Sequence, residues 1–216
     1  MVPIRENLVP KDKYVIKCPY TRTPTRVVIH NTANDAPAAN EISYMRYNDL
    51  EISFHYAVDD VNIVQGIPEN RNAWASGDGH GKGNMEGIHI EICYSKSGGE
   101  KFAKAEQNAA EFTASLLKKY GWGIDKVTKH RDYDGKYCPH RTLDRGWQRF
   151  LSMVKRYMEP AKAPVASKFI PYLIRKNCRD ALNIRKGPST NYGILGQIKD
   201  TLRYTIVEEL SLIHIS

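Results

Sequence analysis

The chain has 216 residues, enough for one large domain or for a medium domain with a small companion. At 41% hydrophobic and 26% charged it has an ordinary globular composition, and no apolar run in it is long enough to cross a membrane. The net charge of +8 is unevenly spread: residues 1–159 hold 23 Lys/Arg against 20 Asp/Glu, or +3, and residues 160–216 hold 9 against 4, or +5. A basic tail suggests an anionic partner such as nucleic acid or a phosphate- or carboxylate-rich wall polymer; on charge alone a solvated surface explains it equally well.

The N-terminal MVPIRENLVPKDKY is polar and lacks the apolar core of a secretory signal, so synthesis in a cytosol is expected, with any outside target reached by a separate export route. TRVVIHNT (25–32) reads as a buried strand ending in a polar turn. DAPAANEISYMRYND (35–49) reads as a helix, with Asp35 as N-cap, Pro37 in its first turn and Ile42, Tyr44 and Met45 on its apolar face. SFHYAVDD (53–60) and NIVQGI (62–67) form an expected hairpin. The Gly-rich ENRNAWASGDGHGKGN (69–84) reads as a long loop, either functional or disordered, whose exposed Trp74 serves as the rim of a substrate cleft, touching sugar or peptide, or as simple packing. In MEGIHIEICYS (85–95), Ile88, Ile90 and Ile92 share one face, so Glu91 points the other way. Residues 101–122 give an amphipathic helix through Phe102, Ala105, Ala109, Phe112 and Leu116, stopped by Gly121.

Then comes HRDYDGKYCPH (130–140), read as a loop because Gly135 and Pro139 punctuate it. His130 and Cys138 are good ligands for zinc, and His30, closing the run VVIH, is the best candidate for a third. That set suits a zinc hydrolase with an open fourth position. A closing helix follows over 141–158, burying Trp147, Phe150, Leu151, Val154 and Met158. EPAKAPVAS (159–167) is a linker, and short strands with turns at KGPSTN and KD predict a small all-β module after it. Cys18, Cys93 and Cys178 show no paired spacing and read as small buried residues. His55, His80, His89 and His140 read as residues standing behind the ligands or on the surface and are left off the metal.

VVIHNT, GNMEGIHIEI and KHRDYDGKYCPH together, in that order, resemble the type-2 N-acetylmuramoyl-L-alanine amidases, relatives of amidase-type phage lysozymes and peptidoglycan recognition proteins. The resemblance runs over roughly residues 20–157 and looks closest to phage endolysins acting on Gram-positive bacteria. It implies an α/β fold, a mixed central β-sheet flanked by helices, with a zinc cleft on one face. It also implies cleavage of the amide between the lactyl group of N-acetylmuramic acid and L-alanine in peptidoglycan. Carried over by residue, His30, His130 and Cys138 are the Zn2+ ligands, Glu91 matches the family's acidic position, and Lys136 matches its lysine two before the last ligand. Phe54, Trp74 and Asn84 are the implied substrate contacts. Phe54 stands where many members have tyrosine, and WASG, with Ala75, replaces a frequent WHAG.

ALNIRKGPSTNYGILGQIKD (181–200) resembles the bacterial SH3-type wall-binding module, whose complete copies run further than this chain does. LSLIHIS (210–216) resembles a translated sequencing-library adapter. The expected organisation is a zinc amidase domain over 1–158, a linker over 159–167, a partial SH3-type module over 168–209 and a non-native tail over 210–216. A monomer is expected, with no nucleic-acid partner and no membrane insertion, released to act on the wall.

Hydrolysing such an amide needs a strong nucleophile, a polarised carbonyl and a proton for the departing amine. Zinc provides the first two, Glu91 could move the proton, and Lys136 could stabilise the oxyanion. Two alternatives are a cysteine peptidase using Cys138 and a catalytically inactive peptidoglycan binder. The order His, His, Cys disfavours the first, and the retained ligands with Glu91 disfavour the second.

Overall fold

The apolar run at 27–29 and the alternating Ile88, Ile90 and Ile92 make two strands that lie side by side in the core of the first of the chain's two units. The computed structural model describes residues 1–159 and, beyond them, residues 172–175, 182–186, 191–199 and 203–206. The chain divides into two units, Met1–Ala161 and Lys162–Ser216.

The first unit runs β1 (Ile4–Glu6), α1 (Tyr14–Lys17), β2 (Arg26–Asn31), α2 (Ala38–Tyr47), β3 (Tyr56–Val58) and β4 (Ile63–Gln65). It continues with α3 (Lys82–Glu86), β5 (Gly87–Ile92), α4 (Gly99–Tyr120), β6 (Val127–Lys129), α5 (Arg131–Asp134), α6 (His140–Asp144) and α7 (Trp147–Met158). Its six strands form one mixed sheet in the order β1-β4-β3-β5-β2-β6. Only β3 and β4 pair antiparallel, as the hairpin predicts; the other pairs are parallel. Val27, Ile29, Ile88, Ile90 and Ile92 are fully buried and share a core with Phe102, Ala105, Ala109 and Phe112 of α4. Burying each of the valine, isoleucine and phenylalanine side chains contributes about 1.5–3 kcal/mol.

Several elements differ from expectation. The N-terminal arm contains β1, whose residues are all exposed; its pairing with β4 supplies what its composition does not. Asp35 does not cap α2. Its carboxylate instead accepts from Ser97 N and Oγ at 2.8 and 2.6 Å, and the cap comes from Asp59, whose Oδ2 accepts from Ala38 N at 3.0 Å. Tyr44 points outward, leaving Ala38, Ile42 and Met45 as the buried face of α2. The stretch 130–140 is not all loop, since one helical turn follows His130 and another begins at His140. Gly146, at φ 102°, breaks the expected closing helix into α6 and α7, a conformation that a side chain would oppose. In α7, Phe150 and Val154 are fully buried while Trp147, Leu151 and Met158 pack at the core's edge. Glu106 of α4, itself buried, accepts from Arg149 at 2.6 Å and pairs with Arg145 at 3.0 Å, which fastens α4 to the closing helix.

Lys17 is also buried. Its ammonium donates to Asn48 Oδ1 at 2.7 Å, to Ile52 O at 3.2 Å and to Leu50 O, holding the segment between α2 and β3. Burial depresses its pKa, and three acceptors are what a buried ammonium requires.

In the second unit, β7 (Tyr172–Arg175) pairs antiparallel with β10 (Arg203–Ile206), and β8 (Leu182–Arg185) with β9 (Ile194–Ile198). No helix occurs among the described residues of this unit. Cys18 and Cys93 are buried free thiols; Cys178 and the tail 210–216 lie outside the described residues, as do positions 160–167 of the linker.

Candidate metal centre and its clefts

Parallel register decides what meets at the carboxyl ends of the strands, where open α/β sheets hold their ligands. His30 of β2 stands opposite Glu91 of β5, so both project from the same side of the sheet. His130 follows the end of β6, the other neighbour of β2. Its backbone N donates to Ile29 O at 3.2 Å, placing its ring beside that of His30. Cys138 arrives by the turn between α5 and α6. Asn31 pins that turn: its Oδ1 accepts from Arg141 N at 2.9 Å and Thr142 N at 3.2 Å, and its Nδ2 donates to His30 O at 3.0 Å.

The ligand atoms of His30, His130 and Cys138 all lie within 4.8 Å of one another, and all three residues are buried. His30 Nδ1 is 3.2 Å from His130 Nδ1 and 4.0 Å from Cys138 Sγ. The outward nitrogens are already engaged: His30 Nε2 lies 3.0 Å from His89 Nδ1, and His130 Nε2 lies 3.0 Å from Asp134 Oδ2. Each outer contact turns Nδ1 inward, an arrangement that orients an imidazole toward a metal. Burial, followed by the neighbouring histidines, drives the His30 pKa well down, and burial lowers that of His130 against the pull of Asp134. Neutral imidazoles are ligands; imidazoliums are not.

Burial, with Glu91 adding, pushes the Cys138 thiol up to about 12. Its Sγ lies 4.0 Å from His30 Nδ1, and a free thiolate nucleophile requires a depressed pKa, the opposite of this direction. The donor set of two imidazoles and one thiol suits a borderline-soft cation such as zinc. A bound divalent charge would supply the stabilisation that the buried sulfur lacks.

Beside these groups opens a cleft of about 540 Å³ lined by Cys138, Glu91, Lys136, Phe54, His140 and a series of asparagines. Glu91 Oε2 is buried with no hydrogen-bond partner, while the residue as a whole is half-buried at the cleft. Burial and then the Glu41 carboxylate push Glu91 up to about 8, and Lys136 acts in the opposite direction. A carboxyl with this pKa is suited to exchanging protons near neutrality.

Phe54, Glu91 and Lys136 therefore share one cleft with the cysteine. Trp74 and Asn84 do not; they line a second cleft of about 610 Å³. Asn84 is buried and its amide organises the Gly-rich loop, with Oδ1 accepting from Ala75 N and Ser76 N at 2.9 and 2.8 Å and Nδ2 donating to Gly79 O at 3.0 Å. Trp74 is half-buried rather than exposed, its Nε1 donating to Ile16 O at 3.0 Å.

Sequence reasoning missed Asp134, while His89, kept off the metal there, stands behind His30. Asp134 holds His130 by one oxygen and accepts from Lys136 N at 2.8 Å by the other, so one carboxylate positions two site residues. Gly77, at φ +68°, packs where a Cβ would sit 2.3 Å from that carboxylate, so only glycine lets the loop close over it. The signal available was the i, i+4 spacing of His130 and Asp134.

The family described as N-acetylmuramoyl-L-alanine amidase matches residues 20–141. The amidase XlyB of Bacillus subtilis (strain 168) is 50% identical over 181 residues, covering 81% of this chain and 57% of XlyB. The amidase CwlA of the same organism is 51% identical over 176 residues, covering 77% of this chain and 65% of CwlA. The chain thus spans less than two thirds of either relative. Among solved structures, PlyL is 52% identical with a TM-score of 0.70, covering 71% of this chain and 97% of PlyL. The catalytic domain of XlyA is 36% identical with a TM-score of 0.66, covering 71% and 99%.

Proposed function

The chain belongs to the N-acetylmuramoyl-L-alanine amidase family, and from that premise we propose that it hydrolyses the amide between N-acetylmuramic acid and L-alanine in Gram-positive peptidoglycan, as an endolysin does. The observation that carries this reading is the convergence of three ligand atoms within 4.8 Å beside a cleft that also holds Glu91 and Lys136. His30, His130 and Cys138 would hold zinc. When bound, zinc supplies Lewis acidity that makes water and the carbonyl reactive at neutral pH.

The chain's own groups do the rest. Glu91 takes a proton from the attacking water as its oxygen bonds to the lactyl carbonyl carbon. Glu91 then delivers that proton to the alanine nitrogen as the C–N bond breaks. The Lys136 ammonium, exposed on the cleft wall, stabilises the charge developing on the carbonyl oxygen. Phe54 gives the cleft an apolar wall. Residues 168–209 act as a cell-wall anchor, a reading supported by the NIRKGPST motif and the +5 charge of residues 160–216, which suits an anionic wall polymer.

Mass analysis of digested walls tests the reaction. Free muramic lactyl carboxyls and new N-terminal alanine are expected, lost in a chelator and restored by zinc. A cut between peptide residues, or full activity in chelator with loss to a thiol alkylating agent, would instead assign a cysteine peptidase. Asp134→Asn tests the metal site separately. Removing such an outer partner costs about 10–100-fold in metal affinity, and zinc retention against a competing chelator should fall accordingly. Unchanged retention would make the contact with His130 incidental.

A further inference from the structure

The two clefts described above share the side chain of Ile52, and their chemistry differs. On the Glu91 side, Asn40 and Glu41 present an amide and a carboxylate, groups that pair with peptide N–H and C=O, while Asn31, Asn34 and Asn48 line the same wall with their amides bonded within the chain. On the other side stand three aromatic rings. The Tyr20 and Trp74 centroids are 6.2 Å apart, Tyr20 and His80 5.4 Å, and Trp74 and His80 5.6 Å, all edge to face. Tyr20 is 43% exposed and His80 is exposed, so this aromatic surface faces solvent.

This surface is set in place before any ligand arrives. Trp74 is tied by its indole to Ile16 O and by its backbone N to Ser53 Oγ at 2.9 Å, and Tyr20 N donates to Asn72 Oδ1 at 2.9 Å. The Ile52 ridge is held by Lys17. The aromatic cleft also abuts the metal centre, because its wall residue Gly77 lies against Asp134, the partner of His130.

We propose that the substrate lies across Ile52 with its two halves sorted by chemistry: saccharide rings in the Tyr20–Trp74–His80 cleft, and the L-alanyl peptide in the asparagine-lined cleft. A pyranose has an apolar C–H face, which matches the apolar bodies of these rings, while the Trp74 indole N–H and the Tyr20 hydroxyl are engaged with Ile16 O and His80 Nε2. The bond to be cut joins a sugar to a peptide, so it lies between the two halves, with Glu91 and Lys136 on the peptide side. This inference rests on the amidase reading and adds the direction in which the substrate lies.

Two probes separate the halves: a peptide-free tetrasaccharide of alternating N-acetylglucosamine and N-acetylmuramic acid, and a sugar-free L-alanyl tripeptide. Both are titrated into the full chain and followed by residue-resolved amide and indole NMR. The tetrasaccharide is expected to move the Trp74 indole signal and the tripeptide the Asn40 side-chain amide. Losing one ring's apolar contact corresponds to about tenfold in affinity. Tyr20→Ala and His80→Ala should therefore each weaken the tetrasaccharide by about that factor, while Tyr20→Phe binds as the parent does. Their unperturbed spectra elsewhere would verify folding.

Saccharide shifts confined to the asparagine cleft or to the C-terminal strands, or no saturable binding, would overturn the assignment. Release of N-terminal alanine from walls is measured on the same samples. Release with saccharide shifts elsewhere sinks the sorting alone. Saccharide binding at Trp74 without release sinks the amidase reading and leaves the saccharide site standing.

Discussion

Glu91→Gln is expected to reduce turnover by at least about a hundredfold while zinc content and wall binding stay at parental levels. The substitution keeps shape and removes the titrating group, and general acid–base catalysis is worth roughly 10²–10⁴-fold. A base works deprotonated, so the rate climbs with pH through its pKa. With glutamine that acidic limb should flatten. Burial raises Glu91 to about 8, and a bound divalent charge would draw it back down, so the limb should fall below 8 in the zinc-loaded protein.

Metal-free protein offers an independent readout. A carboxyl raised in the folded state contributes stability that is complete below its unfolded pKa and is lost as pH rises through the folded value. Between about pH 5 and 8, therefore, the parent's Tm should decline through this group, and Glu91→Gln should remove that part of the slope. Near-parental turnover in Glu91→Gln would transfer the proton to another group, with His140 on the same cleft the next to test.

Lys136→Met should also cost at least about a hundredfold in turnover, for a different reason. Methionine keeps much of the stem and loses the cation, and one donor to a developing oxyanion is worth about 10²–10³-fold. If that interaction exists only in the transition state, kcat and kcat/KM fall together. The acidic limb should persist and move to higher pH, because Lys136 is the charge that lowers Glu91. The backbone N of Lys136 bonds Asp134 and survives the change, so the turn and the zinc should be retained. Loss of zinc from the variant would make Lys136 a structural residue.

The parts of this protein that local geometry fixes were legible in its sequence. Strand alternation put Glu91 on the side opposite Ile88, Ile90 and Ile92, because successive side chains on a strand must point to opposite faces. The spacing in α4 identified Phe102, Ala105, Ala109, Phe112 and Leu116, all of them buried. Donor chemistry singled out His30, His130 and Cys138, whose ligand atoms do converge. The Asp35 cap failed because a distant carboxylate, Asp59, reaches the end of α2, and a local propensity cannot weigh a partner 21 residues away.

What only the tertiary structure decided is which of these groups face one another. His30 meets His130 across 100 positions because β2 and β6 are neighbours in the sheet, and strand order is set by burial of both sheet faces rather than by any short stretch. For the same reason Trp74 and Asn84 stand in a different cleft from Phe54. Composition told that these residues are aromatic or amide. The side of Ile52 on which each one stands follows from how the loops fold back on the sheet, and Lys17 and Asp134 fix that arrangement through contacts between segments far apart in the chain.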